Sequence, residues 1–246
     1  MLTEEYLDRL VAVLKRVKAE QKDNLAAAAE ALADCVAKGG AIYAFGCGHS
    51  GLVVQDVFYR AGGLMLINAV FAPGLQLDVR PVTLSSEVER MPGYAAVILE
   101  GLGAKPGDAL LVVSTSGRNA VPVEMAQGAK ERGMTVIGVT SRAYAAATPS
   151  RHASGKHMHE FADIVIDNLS EPGDACMEVP GLEQKMGPTS GAVGCALLQC
   201  LAMETVARLV ARGQVPPVFM PANYPGGTEH NARLIEQYGD RVNYLR

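Results

Sequence analysis

Residues 110–124 read LLVVSTSGRNAVPVE, and the fold turns on how this stretch divides. An apolar run from Ala109 to Val113 ends in a hydroxyl-rich loop, Ser114-Thr115-Ser116-Gly117. Asn119 then opens a segment whose apolar residues Val121, Met125 and Ala129 have helical spacing. The pattern predicts a buried strand, a tight loop and a helix N-terminus. The first N–H groups of a helix lack intrahelical partners and lie at the positive end of its dipole, so an anion is accommodated there. Three hydroxyls add donors without adding charge. Asn119 suits the N-cap, and Pro122 is tolerated in the first turn, where its missing N–H has no intrahelical partner to lose. The same composition also fits an ordinary strand-to-helix turn, in which Ser and Thr cluster.

A second loop of this kind lies upstream. Ala41 to Phe45, a short apolar run with β character, precedes Gly46-Cys47-Gly48-His49-Ser50-Gly51, and an apolar segment follows from Leu52. The spacing is formally G-x-G-x-x-G. A dinucleotide site also needs an acid near the end of the second strand, where this chain has Leu66-Ile67-Asn68-Ala69, so no nucleotide or other cofactor is expected. The glycines permit close backbone approach of a ligand, and Ser50 is a natural N-cap or ligand donor.

Outward from these loops, residues 3–38 have helical spacing throughout (Tyr6, Leu10, Leu14, Val17, then Leu25, Ala28, Leu32, Val36), with Thr3 as cap and Gly39-Gly40 as stop. So long a leading arm is expected either to pack on a second subunit or to lie over the core. Residues 80–90, RPVTLSSEVER, read as a polar connection before a helix at 93–103. Further strands are expected at 134–139 and 163–167, with a short one at 173–179. The alternation of strands and helices predicts α/β architecture: a three-layer αβα sandwich around a parallel sheet, with ligands at the carboxyl ends of its strands. Gly187-Pro188-Thr189-Ser190 precedes a helix apolar almost all round (Val193 to Leu209), which marks burial in the core or at a subunit contact. In the tail, Gly226-Gly227 frees the backbone before Thr228-Glu229-His230-Asn231 opens a last helix. The chain reads as one domain, with a helical arm (1–39), a core (40–215) and a C-terminal extension (216–246).

Composition narrows the function. The chain has 246 residues, 49% of them hydrophobic, and a formal charge of −4, with mean hydropathy +0.13 and pI near 5.8. That balance gives no electrostatic footprint for nucleic acid or an anionic membrane, so any anion must be bound locally. Five Cys (35, 47, 176, 195, 200) are an odd number without disulfide or zinc spacing, which predicts reduced thiols and a cytoplasmic home. The N-terminus lacks a signal-peptide pattern, and the apolar segment 192–203 is too short to span a bilayer. Within AYAAATPSRHASGKHMHE (143–160), His152, His157 and His159 have no carboxylate or Cys completing a ligand spacing, and no metal is expected. Arg151, His152, Ser154 and Lys156 are candidates to cap a substrate cleft; the alternative is a solvated excursion.

Strand-GCGHSG-helix followed by strand-STSGRN-helix resembles the sugar isomerase (SIS) family, over roughly residues 40–215. With TSRAY, SRHASGK, GPTSG, PPVF and GGTEHN, the whole length is similar to small single-SIS-domain bacterial proteins related to phosphoheptose isomerases. The resemblance implies a mainly parallel five-stranded sheet, phosphosugar binding by the two loops, and homodimers or tetramers with sites at subunit edges. It assigns Ser114, Thr115, Ser116 and Asn119 to the phosphate cradle and Gly48 and Ser50 to the sugar. Thr189 and Ser190 open the last core helix beside the site. The chain departs from the family at the His and Glu that phosphoheptose isomerase carries after the first loop, where it has Asp56 and Arg60, and the late-helix His is missing. Any catalytic pair must therefore be different.

Aldose–ketose isomerisation moves a proton between C1 and C2 through an enediolate and needs a base plus groups that open the ring. A carboxylate with a pKa raised by partial burial suits the first task. Glu89 is the first choice and Glu87 the second. His230, flanked by Asn231 as a substrate ligand, is the choice for ring opening, delivered to a neighbouring subunit as the resemblance to SIS aminotransferase-isomerases implies. His49, inside the first loop, is its rival. The expected substrate is a small anionic sugar. The alternatives are lyase chemistry like that of N-acetylmuramate 6-phosphate etherases and a non-catalytic sugar-phosphate sensor.

Overall fold

The computed structural model describes residues 1–245. The leading arm forms as two helices, α1 (Leu2–Glu20) and α2 (Lys22–Ala37), instead of the single helix expected over 3–38. The break falls at Gln21, whose backbone leaves helical geometry (φ −108°, ψ 7°). Its buried side chain explains why. Gln21 Oε1 accepts from the Asp167 N–H at 3.0 Å and from Asn24 Nδ2 at 3.0 Å, which pins the junction to the end of the last strand.

β1 (Ile42–Gly46), α3 (His49–Val57) and β2 (Ile67–Val70) follow. The polar stretch read as a connection contains a short helix, α4 (Thr83–Val88), ahead of α5 (Tyr94–Gly101). β3 (Ala109–Val113), α6 (Ala120–Glu131) and β4 (Thr135–Thr140) form where the periodicity predicts them. α7 (Arg142–Ala147) and a 3-10 turn (Met158–Glu160) punctuate the histidine-bearing stretch before β5 (Ile164–Asp167). Residues 173–179 form no strand; Met177 makes one isolated antiparallel bridge to Met186. α8 (Ser190–Ala211) and α9 (Gly227–Tyr238) complete the chain's main elements.

All strand pairings are parallel, in the order β2-β1-β3-β4-β5. Alternate residues of each strand feed two cores, because strand side chains alternate between faces. Ile42, Ala44, Leu111 and Val113 pack with α2, α3 and α8, while Tyr43, Phe45, Leu110 and Val112 pack with α5 and α6. At 22 residues α8 is long and apolar enough to cross a membrane, and longer than the apolar segment expected. Here it is a core helix, with Val193, Leu197, Leu198 and Leu201 buried. α1 buries only Val17 and leaves Leu2, Leu7 and Val11 exposed.

The tail returns to the segment that leads into β2 and to the Asn68 side chain within it. Met65 N–H donates to Pro217 O at 3.0 Å and Phe219 N–H to Gly63 O at 3.1 Å. Asn243 N–H reaches Asn68 Oδ1 at 2.7 Å, and the Tyr244 hydroxyl reaches Met65 O at 2.8 Å. In the observed strand order, the chain leaves β1 in one direction to reach β2 and in the other to reach β3. The crevice between the carboxyl ends of β1 and β3 is therefore the topological switch point, where ligands bind in open parallel sheets.

Candidate functional site

A cavity of about 270 Å³ lies at that switch point, with residues of both hydroxyl loops in its wall. Loop 114–117 is tied to the end of β4: Ser114 N–H donates to Val139 O at 3.0 Å, and Thr115 O accepts from Ser141 N–H (2.9 Å) and Thr140 Oγ1 (3.2 Å). Gly117, at φ 60°, turns its N–H back onto Ser114 Oγ at 3.2 Å, in a backbone region that favours glycine. Asn168 Nδ2 donates to Thr115 Oγ1 at 3.3 Å, and its amide is oriented by Ser170 N–H on Oδ1 at 3.1 Å. Protein donors thus take up lone pairs of two loop hydroxyls and leave their protons to be donated. The N–H groups of Thr115 and Ser116 donate to no described residue. Together these form a charge-neutral set of donors for an anion. Asn119 occupies the N-cap position of α6 but does not cap with its side chain, because Oδ1 accepts from Arg151 Nη1 at 3.0 Å.

In the first loop, Gly48 (φ 53°) is the N-cap of α3, and its N–H donates to Leu75 O at 2.8 Å. The helix begins earlier than Leu52, so Ser50 lies in its first turn and not at the cap; it lines the cavity beside His49. Gly46 and Gly51 serve the protein and not a ligand. A Cβ on Gly46 would lie 2.5 Å from Ser50 O, and one on Gly51 would lie 2.2 Å from Gln76 Oε1.

Glu89 lies just past the end of α4 and lines the same cavity. Its carbonyl accepts from Val121 N–H at 3.0 Å, which fixes it to the first turn of α6. Burial raises its carboxyl above the ordinary value, against the opposing pull of Asn119, Arg90 and Arg151. A second carboxylate, Asp174, reaches the cavity from a left-handed conformation (φ 51°). It accepts from Thr189 N–H (3.2 Å) and Ser190 N–H (3.0 Å) through Oδ1 and from the Ser190 hydroxyl through Oδ2. Ser190 lines the cavity. Thr189 is buried, its hydroxyl facing Ser170 Oγ at 3.4 Å.

Four expected site residues stand elsewhere in this chain. Glu87 is exposed and pairs with Arg90 at 3.3 Å. Lys156 lies over the Phe161 ring at 5.5 Å. His230 Nε2 faces Val218 O at 3.0 Å, and Asn231 brackets the Met220 backbone at 3.0 and 2.9 Å. Asp56 and Arg60 pair with one another at 2.5 Å, and Gln199 Nε2 joins Asp56 at 2.9 Å, so Asp56 serves the α3–α8 contact. The histidines are dispersed in their bonding: His152 sits 3.7 Å from Glu124, while His157 Nε2 meets Thr148 O at 3.0 Å. Among the described residues, no group of three or more metal-ligating side chains is gathered.

Sequence reading missed Ser85, Ser86, Tyr144 and Asp174, all of which line the cavity. The two serines were legible, since they precede Glu89 by one helical turn. Asp174 carried no local signal; its place depends on the turn that brings it to α8.

The fold and its paired loops at the β1–β3 crevice define a SIS-type α/β protein. The chain belongs to the SIS domain family, whose profile matches residues 5–141 and so includes both loops. At full length it is similar to a UPF0309 protein from Streptomyces griseus, 47% identical over 99% of this chain and 97% of that one. Among solved structures it is similar to phosphoheptose isomerase GmhA from Neisseria gonorrhoeae (TM-score 0.56, 20% identity, 84% of this chain and 100% of the other). It also resembles the Vibrio vulnificus NanR protein complexed with ManNAc-6P (TM-score 0.50, 14% identity, 98% of this chain and 69% of the other).

Proposed function

We propose that the cavity binds a sugar carrying a terminal phosphate or similar anion, and that the chain isomerises it between aldose and ketose forms. The observation that carries this reading is the meeting, in one cavity, of an uncharged donor loop and a partly buried carboxyl raised by burial. The Thr115 and Ser116 N–H groups and the loop hydroxyls hold the anion. Glu89 removes the proton next to the carbonyl and returns it to the neighbouring carbon, and its raised basicity suits that transfer. His49, at the cavity mouth, is the candidate in this chain for ring opening. The SIS-fold protein that holds ManNAc-6P supports a sugar phosphate as the ligand class. Assembly into a homo-oligomer is part of the proposal, supported by the apolar side chains exposed on α1 and by exposed Met203 on α8; sedimentation above 25.9 kDa tests it.

The experiment is proton exchange followed by NMR in D2O on any sugar phosphate that raises the melting temperature. The reading requires deuterium at the carbon next to the carbonyl with the parent protein and none with Glu89→Gln, which still binds. Binding without exchange in the parent protein would make the chain a sensor.

A further inference from the structure

Three hydroxyls of the cavity wall, those of Ser114, Thr115 and Ser190, differ in what the protein takes from them. A hydroxyl has one proton and two lone pairs, so what the protein takes from it decides what remains for a ligand. At Ser114 and Thr115 the protein supplies donors, Gly117 N–H and Asn168 Nδ2, and the hydroxyl protons remain. At Ser190 the protein takes the proton instead, since Asp174 is a carboxylate and offers only lone pairs. The two N–H bonds from Thr189 and Ser190 to Oδ1 hold that carboxylate in place. Ser190 therefore faces the cavity as an acceptor.

Resting on the sugar-phosphate reading above, we infer that Asp174 is a positioning residue that fixes the substrate class. Through Ser190 it selects a sugar whose end away from the phosphate presents a donor, a hydroxyl or an amino group, and rejects one ending in a second anion. On this inference the 114–117 loop donates to the phosphate, Ser190 accepts from the polyol or amino end, and the substrate binds in one direction.

The test uses two probes that share a phosphate and a carbon chain and differ at C1: sorbitol 6-phosphate, with a hydroxymethyl group, and 6-phosphogluconate, with a carboxylate. Dissociation constants are measured calorimetrically for the parent protein, Asp174→Asn, Ser190→Ala and the double variant. Asn at 174 keeps an oxygen for the two N–H groups but offers its amide as a donor to Ser190, which frees the Ser190 proton for the cavity. Parent preference for sorbitol 6-phosphate is expected to fall about three- to tenfold in Asp174→Asn. Ser190→Ala is expected to lose sorbitol 6-phosphate affinity while 6-phosphogluconate affinity holds or rises. Glu89 repels the C1 carboxylate in every variant alike, so the change in preference between variants is diagnostic. Removing the Asp174 charge alone would shift preference equally with and without the Ser190 hydroxyl; the inference requires the shift to be clearly smaller in the Ser190→Ala background. Binding of both probes with a preference untouched by Asp174→Asn, or shifted equally in both backgrounds, overturns the inference and leaves the sugar-phosphate reading standing. Failure of the parent protein to bind either probe or inorganic phosphate overturns both.

Discussion

Glu89 sits where burial disfavours its charge, and that has two consequences of opposite use. For chemistry, a carboxylate of raised basicity is a better proton acceptor, so the acid limb of the rate profile should lie above the ordinary carboxylate range. Glu89→Gln should lower turnover by about 10²- to 10⁴-fold, as the loss of a general base does. For stability the sign is reversed. The folded state holds the proton more tightly than the unfolded chain, so this residue stops favouring folding as pH rises through its raised value. Glu89→Gln should therefore melt above the parent at neutral pH, the gap closing as pH falls below the ordinary carboxylate range; a gap independent of pH would disprove the desolvation account. Gly51→Ala tests packing at the same scale. Its Cβ would meet Gln76 Oε1, and Gln76 cannot easily yield while its Nε2 is bound to Gly46 O at 3.3 Å. A cost of about 1–3 kcal/mol in denaturant melts is expected. Residues such as Glu89 and Ser116 were readable because they lie on loops whose neighbours declare the local geometry. What Lys156 and His230 touch within their own chain was not readable, because a cation or imidazole in a flexible-looking stretch gives no sign of its contact: a ring in one case, a carbonyl in the other.

The strands were legible because parallel strands buried on both faces leave continuous apolar runs. What decides how elements join was not, because single side chains do it over long separations in sequence. Gln21 breaks the arm by reaching Asp167, and Asp108 staples the amino end of the sheet. Its buried carboxylate accepts from Ala41 N–H at 2.8 Å and Lys105 N–H at 3.0 Å. Asp108→Ala strips both donors of their partner and should cost about 2–4 kcal/mol in chemical denaturation. Because this end of the sheet is opposite the cavity, ligand affinity should be unchanged. A loss of affinity in a variant that still folds would contradict that separation of tasks.

At the scale of the molecule, ligand binding and folding are linked. A sugar phosphate at a hundred times its dissociation constant should add about 2.7 kcal/mol, a rise of roughly 5–10 °C for a chain of this length. Ser116→Ala should largely abolish the rise by removing a donor from the cradle, and a variant that responds like the parent would move the anion elsewhere. The architecture was open to sequence reading because strand and helix periods alternate so plainly. The anchoring of the segment that leads into β2 was not, because it depends on residues 217–219 and 243–244 coming back to residues 63–68. That anchoring bears on how the molecule is made. All five strands precede residue 168, so during translation the sheet can assemble before residues 217–219 and 243–244 supply these partners. Until they arrive, the Met65 N–H and the Gly63 carbonyl beside the sheet stay unpaired, a short stretch of open backbone to which another copy could add.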